Sequence, residues 1–150
     1  MIRVQREDFD AQAEARALVA GNHRVGGVVT FVGLVRASAG DAAIDAMTLE
    51  HYSGMTEREL AKIEAEARAR WPLEAALIVH RYGRLAPGDQ IVLVVTAAAH
   101  RQAAFAANEF LVDWLKTKAP FWKLEATARG EQWVEARAAD DHAAKRWVAE

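Results

Sequence analysis

The stretch LIVHRYGRLAPGDQIVLVVTA, Leu77–Ala97, contains the clearest strand signals in the chain. Branched and apolar residues fill both of its ends, Leu77–Tyr82 and Ile91–Ala97, which is typical of β-strands. Between them stands Pro87-Gly88-Asp89, which favours a turn because proline presets φ and glycine accepts unusual backbone angles. The stretch therefore predicts two strands joined through a turn.

A long helix is predicted after the second strand, over about His100–Lys116. Its apolar residues recur at helical spacing, so Phe105, Val112 and Leu115 are expected to face the core. Pro120 disfavours helical backbone at the residue before it, which ends the helix.

A second helix is predicted upstream, where Thr56 and Glu59 have the spacing of a capping box. One apolar stripe follows along it, formed by Leu60, Ile63, Ala67 and Trp71. Pro72 stops this helix.

The other predicted elements are short. The remaining strands are Ile2–Val4, the run within Gly26–Arg36, Ala43–Tyr52, Phe121–Ala126 and Gln132–Ala136, and further helices are Asp10–Ala20 and a tail from Asp140. Because strict βαβ alternation is missing, the pattern favours an α+β fold with a mixed, mainly antiparallel sheet. Two long helices are expected to pack on it, beside a C-terminal hairpin and short helix. Nothing resembles a linker or a repeat, so residues 1–150 are expected to form a single domain.

The composition limits the possible functions. With 52% hydrophobic and 27% charged residues the chain fits a soluble globular protein, and neither a membrane span nor a signal peptide is evident, so a cytoplasmic location is expected. The net charge of −2 argues against a broad nucleic-acid surface. Cysteine is absent, which excludes thiol nucleophiles and cysteine-bound metals. Any sulfur that this protein handles must arrive on another molecule.

Basic residues cluster in LKTKAPFWKLE, Leu115–Glu125. Lys116 and Lys118 are also consistent with ordinary cations at a helix C-terminus. Lys123 stands between Trp122 and Leu124, where partial burial would lower its pKa and suit it to proton transfer.

A second basic pair, His100-Arg101, stands between a predicted strand and the start of the long helix. Free backbone N–H groups make such a position suitable for anions, although an exposed polar junction is the simpler alternative. Arg36 is a third basic residue at a strand end. No zinc spacing, phosphate-binding glycine loop or nucleophile elbow is present, so neither a metal nor a cofactor is expected.

Taken in order, several segments resemble the successive signature blocks of the molybdopterin synthase large-subunit family: VVTFVGLVR, LEHYSGMTE, ARARWPL, HRYGRLAPGD, TAAAHRQAAF, LKTKAPFWKLE and WVEAR. The resemblance spans nearly the whole chain and implies a hammerhead-like fold. It implicates Lys116 and Lys123 in catalysis. The residues that it implicates in substrate binding are Arg36, His100, Arg101, Arg137, Phe31 and Lys118. The loop ASAGD after Arg36 departs from the family pattern, and Lys118 stands where the family also uses arginine.

The resemblance further implies a reaction and a partner. The family's substrate is cyclic pyranopterin monophosphate, and its sulfur arrives as a thiocarboxylate on the C-terminal Gly-Gly of a small ubiquitin-like subunit. Two alternatives remain open: an independent enzyme acting on another phosphorylated heterocycle, and a non-catalytic module that binds a ubiquitin-like tail. Turnover without the partner would favour the independent enzyme over a synthase. Unchanged partner binding and biological activity in Lys123→Ala would favour the binding module.

The predicted length of the helix His100–Lys116 implies a homodimer. At 1.5 Å per residue its ends lie about 24 Å apart, too far for both to contact one small substrate. We therefore expect each site to combine Lys116 and Lys123 of one chain with His100 and Arg101 of the other.

Overall fold

The structure is a computed structural model that describes residues 1–39, 42–117, 121–127, 130–134 and 138–148. Within these ranges the strands are β1 (Ile2–Gln5), β2 (Gly27–Leu34), β3 (Ser38–Ala39), β4 (Ala42–His51), β5 (Leu73–Arg81), β6 (Gly83–Leu85), β7 (Gln90–Ala98), β8 (Phe121–Thr127) and β9 (Gly130–Val134). The helices are α1 (Ala11–Val19), α2 (Met55–Arg70), α3 (Arg101–Thr117) and α4 (Ala138–Lys145). None of these helices has the length and apolar composition needed to cross a bilayer.

The strands form two sheets. In the first, here called the central sheet, the order is β1-β5-β7-β2, with β1 parallel to β5 and the other pairs antiparallel. In the second, the outer sheet, the order is β3-β4-β8-β9, and β6 also pairs with β4. The predicted α+β class with a mixed, mainly antiparallel arrangement is therefore confirmed.

Helices cover both faces of the central sheet, which explains why β5 and β7 are apolar almost throughout. On one face, α2 and α3 pack against β5 and β7 in a cluster that includes Leu60, Ile63, Ile78, Val92, Val94, Phe110, Leu111 and Leu115. On the other face, α1 covers Leu77, Val79, Leu93 and Val95. Alternate residues of the same two strands thus belong to two different cores.

Helix α3 is held to the central sheet by buried polar side chains as well as by apolar packing. Asn108 Nδ2 donates to the carbonyl oxygens of Val29 at 3.1 Å and Val94 at 3.0 Å. Thr96 Oγ1 donates to the carbonyl oxygen of Ala104 at 2.7 Å. Because buried amides and hydroxyls are costly when unpaired, these bonds favour one position of the helix along β2 and β7.

The start of α2 differs from the prediction. The helix begins at Met55, so Thr56 and Glu59 do not form the expected capping box. Glu57 Oε2 instead accepts from Gly54 N at 2.6 Å, and the Thr56 hydroxyl accepts from Tyr52 N at 3.2 Å. The prediction was wrong because the N-cap is Gly54, three residues before Glu57. Glycine has no side chain that would mark it as an N-cap in the sequence.

The orientation of α3 is only partly as predicted. Leu115 is buried and Val112 packs against the core, but Phe105 is 60% exposed. Smaller residues occupy the face against the sheet in this part of the helix, including the fully buried Ala104 and Ala107. Alanines allow a helix to approach a sheet closely, and this packing was not evident from the positions of the larger apolar residues.

Candidate functional site

The N-terminal end of α3 places His100 and Arg101 against the start of β2. Both side chains are exposed, and Arg101 is the first helical residue. The carbonyl oxygen of Ala98, the last residue of β7, accepts from Gly26 N at 2.9 Å. A Cβ built on Gly27 would lie 3.5 Å from the Arg101 Cα. The connection between β7 and α3 is thus held against β2, where free N–H groups of the first helical turn add to the positive potential.

Gly26 is a position at which this connection has no room for a side chain. A Cβ there would lie 2.1 Å from the carbonyl oxygen of Ala99, so Gly26→Ala requires the connection to move. We expect the variant to lose about 1–3 kcal/mol of unfolding free energy and to lower turnover through displacement of His100 and Arg101.

The matched control is Gly27→Ala, because its Cβ would make only ordinary contact with Arg101. Thermal melting by circular dichroism and a turnover assay compare the two variants. Indistinguishable stability and turnover in both would show that the close approach at Gly26 does not position the basic pair.

Lys116 and Arg36 lie towards the C-terminal end of α3. Lys116 is exposed in the last helical turn, and α3 packs back along β7 and β2. Arg36 is exposed and follows the C-terminal end of β2, the end far from the β7–α3 connection. Its segment is fixed to the turn before β7: Val35 N donates to the Asp89 carbonyl oxygen at 3.0 Å, and Gly88 N donates to the Val35 carbonyl oxygen at 2.8 Å.

The backbone of Lys123 lies in β8, close to the segment that carries Arg36. Lys123 pairs with Leu49 of β4 and with Val134 of β9. Leu49 is buried in a cluster with Val35, the residue directly before Arg36. The sheet register therefore places the Lys123 backbone and Arg36 at the same end of the molecule.

Phe31 has a packing role as well as a predicted pocket role. It is half-buried in β2, pairs with Val94 and packs against the core cluster of α2 and α3. A Cβ on Gly33 would lie 3.4 Å from Phe31 Cε1 and 2.8 Å from Val92 Cγ1, so glycine leaves the space that these two side chains use. The contact of Phe31 with substrate stays a prediction.

The predicted site residues thus separate into two groups. Arg36, Lys116 and the Lys123 backbone lie towards one end of α3, while His100 and Arg101 lie at the other, about 24 Å away for this 17-residue helix. Arg36, His100 and Arg101 form no ion pair with any residue that the structure describes, so their side chains are available to bind an anion. One chain does not bring the two groups together.

Three predicted features lie outside the described residues: Lys118, Arg137 and the side chain of Lys123. Conversely, the structure shows a basic cavity around Arg6, Tyr82 and Arg84 that the sequence did not predict. Arg6 is distant along the chain from Tyr82 and Arg84, which stand together in HRYGRLAPGD. The parallel pairing of β1 with β5 brings Arg6 beside Tyr82, and the pairing of β6 with β4 adds the residues of β4. A three-residue strand such as β6 leaves little trace in a sequence pattern.

A model of the MoaE protein family matches residues 4–118. A protein of Mesorhizobium japonicum named molybdopterin synthase catalytic subunit is 53% identical over 148 residues, which covers 97% of this chain and 92% of that protein.

Solved structures show the same fold. The molybdopterin biosynthesis MoaE protein from Burkholderia ambifaria superposes with a TM-score of 0.85 at 55% identity, covering 100% of this chain and 99% of that one. A Helicobacter pylori complex of subunits 1 and 2 of molybdopterin-converting factor has a TM-score of 0.71 at 21% identity over 91% of both chains, a likeness of fold alone. Given the extent of the family match and the identity to these relatives, the chain belongs to the MoaE protein family.

Proposed function

We propose that this chain, as a single domain over residues 1–150, is the catalytic subunit of a molybdopterin synthase, a sulfurtransferase. It transfers sulfur from the C-terminal thiocarboxylate of a small ubiquitin-like partner to cyclic pyranopterin monophosphate, forming the dithiolene of molybdopterin. The observation that carries the proposal is the presence of exposed basic residues at both ends of α3 in a chain 53% identical to a molybdopterin synthase catalytic subunit. The Helicobacter pylori relative is itself a two-subunit complex, which supports a partner here.

The charges suit the proposed reactants. Both the pterin phosphate and the thiocarboxylate are anions, while the whole chain has a net charge of −2. Local positive groups are therefore needed to attract the reactants and to stabilise negative charge on a reacting oxygen. Arg36 and Arg101 supply such groups, and the His100 imidazole adds a hydrogen-bonding group beside Arg101. None of the three has a carboxylate partner among the described residues. Arg137, Lys118 and Phe31 complete the proposed substrate-binding set.

The proposed chemistry takes its sulfur from the partner, since the chain contains no cysteine. The thiocarboxylate sulfur attacks a pterin side-chain carbon, forming a C–S bond, and the displaced oxygen group leaves with a proton. This links the partner tail to the substrate as a thioester. Water then cleaves the acyl–sulfur bond, leaving sulfur on the pterin and a carboxylate on the tail, and a second partner molecule repeats the transfer.

Lys116 and Lys123 are the proposed catalytic residues. Each ammonium group can orient the thiocarboxylate and donate a proton to the leaving oxygen, and the resulting amine can accept a proton from the attacking water. The partner tail is proposed to run in extended form beside β8, where backbone pairing can hold it.

A homodimer follows from the separation of the two groups of residues. We propose that Lys116 and Lys123 of one chain meet His100 and Arg101 of a second chain across the dimer interface. Two exposed apolar side chains lie near the His100–Arg101 end: Val28, 42% exposed in β2, and Phe105, 60% exposed in α3. Apolar surface of this kind at a functional site supports contact with another chain.

Mixing two inactive variants tests the composite site. Lys123→Ala and the double variant His100→Ala/Arg101→Ala are each expected to be inactive as homodimers. A mixed dimer has one site that lacks both groups and one that lacks neither. Because random pairing of equal amounts makes about half of the dimers mixed, about a quarter of wild-type activity should return. If each chain holds a complete site, mixing restores nothing.

The function itself is tested by mass spectrometry of a reaction that contains this chain, the thiocarboxylated partner and the pterin phosphate. The proposal expects a pterin product that gains sulfur, a partner that returns to its carboxylate form and no product when the partner is omitted. Conversion of the pterin by this chain alone would overturn the proposal, as would an unchanged thiocarboxylate in the complete mixture.

A further inference from the structure

A cavity of about 420 Å³ lies between the outer sheet and the segment that follows β1. Its lining includes Arg6, Glu50, His51, Tyr82, Gly83 and Arg84. These residues come from β4, from β6 with the residue before it, and from the segment after β1. The volume falls within the range of small-molecule sites, about 300–1,000 Å³.

The cavity has an excess of positive charge. Arg6 and Arg84 are exposed, and neither forms an ion pair with a described residue. Glu50 is the one carboxylate among the lining residues given above, so these side chains carry a net positive charge even with His51 neutral. Two guanidinium groups with open N–H donors are well suited to bind carboxylate or phosphate oxygens.

The neighbouring Arg81 is already engaged and does not contribute to this excess. Its Nη1 donates to the Gln90 carbonyl oxygen at 2.8 Å and lies 3.7 Å from Asp8 Oδ1. A hydrogen bond from the Gln90 side chain holds the pKa of Asp8 below its ordinary value, so this carboxylate stays charged beside Arg81. Among the described residues that line the cavity, the cations without an ion pair are therefore Arg6 and Arg84.

Aromatic side chains form one wall of the cavity. The Arg6 guanidinium carbon lies 4.8 Å from the centre of the Tyr82 ring, and the Tyr82 and His51 ring centres are 4.2 Å apart. Stacking of this kind holds the flat face of the guanidinium and leaves its N–H edge free. Gly83 has a φ of 95°, and a Cβ there would lie 3.3 Å from Arg6 Nη1. Glycine at this position thus leaves room for the Arg6 head group.

We propose that this cavity binds an aromatic oxyanion, a small molecule in which a phosphate or carboxylate is attached to a flat ring. The oxyanion contacts Arg6 and Arg84, and the ring lies against Tyr82 and His51. On the outer sheet the cavity borders the Lys123 backbone, because its lining residue Leu49 pairs with Lys123. On the central sheet Arg6 follows β1 and Arg36 follows β2, the two outer strands. Three strand spacings separate them, about 14 Å.

Binding of phenyl phosphate to the chain alone tests this proposal and does not depend on sulfur transfer. Isothermal titration calorimetry gives the affinity, and NMR of the assigned amides of Thr48–Glu50 and Tyr82–Arg84 locates the ligand. Arg6→Gln and Arg84→Gln should each weaken binding by about ten-fold or more. Arg16→Gln is the matched control, because Arg16 is an exposed arginine on α1, remote from the cavity lining.

Two further measurements separate the ring contact from the charge contact. Inorganic phosphate should bind more weakly than phenyl phosphate, and Tyr82→Leu should reduce that difference. Unchanged affinity in both Arg6→Gln and Arg84→Gln would overturn the proposal. So would NMR shifts confined to residues around Arg36, or no saturable binding of phenyl phosphate to a wild-type chain whose spectrum shows it folded.

Discussion

Replacing Lys123 by alanine should lower the rate of sulfur transfer by about 10²- to 10⁴-fold, the range typical for loss of a general acid–base residue. The register of β8 places Lys123 opposite Leu49, at the end of the molecule that also carries Arg36. We expect Lys116→Ala to act in the same direction, since Lys116 is exposed in the last turn of α3 at the same end.

The measurement is single-turnover product formation with the thiocarboxylated partner, followed by mass spectrometry. Partner affinity is measured separately, because the proposal expects binding to persist while the chemical step fails. Lys62→Ala provides the matched control, as Lys62 is 73% exposed on α2 and pairs only with Glu59 among the described ion pairs. Normal product formation by Lys123→Ala and Lys116→Ala would exclude lysine catalysis, whereas loss of partner binding alone would indicate a docking role.

Phe110→Ala should cause a large loss of stability, about 3–5 kcal/mol of unfolding free energy. Phe110 is fully buried, and its ring centre lies 5.4 Å from that of Trp71, 5.6 Å from that of Trp147 and 6.2 Å from that of Trp114. The Arg70 guanidinium carbon lies 4.9 Å from the Phe110 ring centre. Removing this ring leaves a cavity between α2, α3 and the segment after α4, and these elements cannot all close on it.

Urea unfolding followed by tryptophan fluorescence measures this loss. Phe110→Leu is the graded control, because leucine keeps most of the apolar volume and should cost clearly less than alanine. The fluorescence of the folded state should also change in Phe110→Ala, since Trp71, Trp114 and Trp147 all border the ring. Equal stability of the alanine and leucine variants would mean that the site collapses around a smaller side chain and that the aromatic cluster contributes little.

The strongest sequence patterns identified most of the elements but not their limits. The prediction of Ala43–Tyr52 corresponds to β4, and that of Asp10–Ala20 to α1 with Asp10 as its N-cap. Strand β5 begins at Leu73, earlier than the predicted Leu77. The additional residues at its start are less strongly apolar, so the sequence pattern did not include them. Pairing with β7, and not local composition, extends the strand to Leu73.

Some features were not available to sequence reasoning because they depend on contacts between distant segments. The parallel pairing of β1 with β5 joins Ile2 to Ile78, and no local pattern specifies such a register. The exposure of Phe105 depends on which face of α3 the alanines bring against the sheet. The basic cavity forms because Arg6, which follows β1, contacts Tyr82, which follows the neighbouring strand β5.

The amino-acid sequence by itself determined the α+β class, the long helix α3 with basic residues at both ends, and the absence of a cysteine that could carry sulfur. These properties follow from the periodicity, length and residue types of single segments. Such local features determine the preferred backbone conformation of a segment and how many of its faces are apolar. Only the tertiary structure decided that Arg36 and the Lys123 backbone share one end of the molecule while His100 and Arg101 occupy the other. That distribution depends on strand order, register and the buried bonds of Asn108, and these arise from packing between segments far apart in the chain.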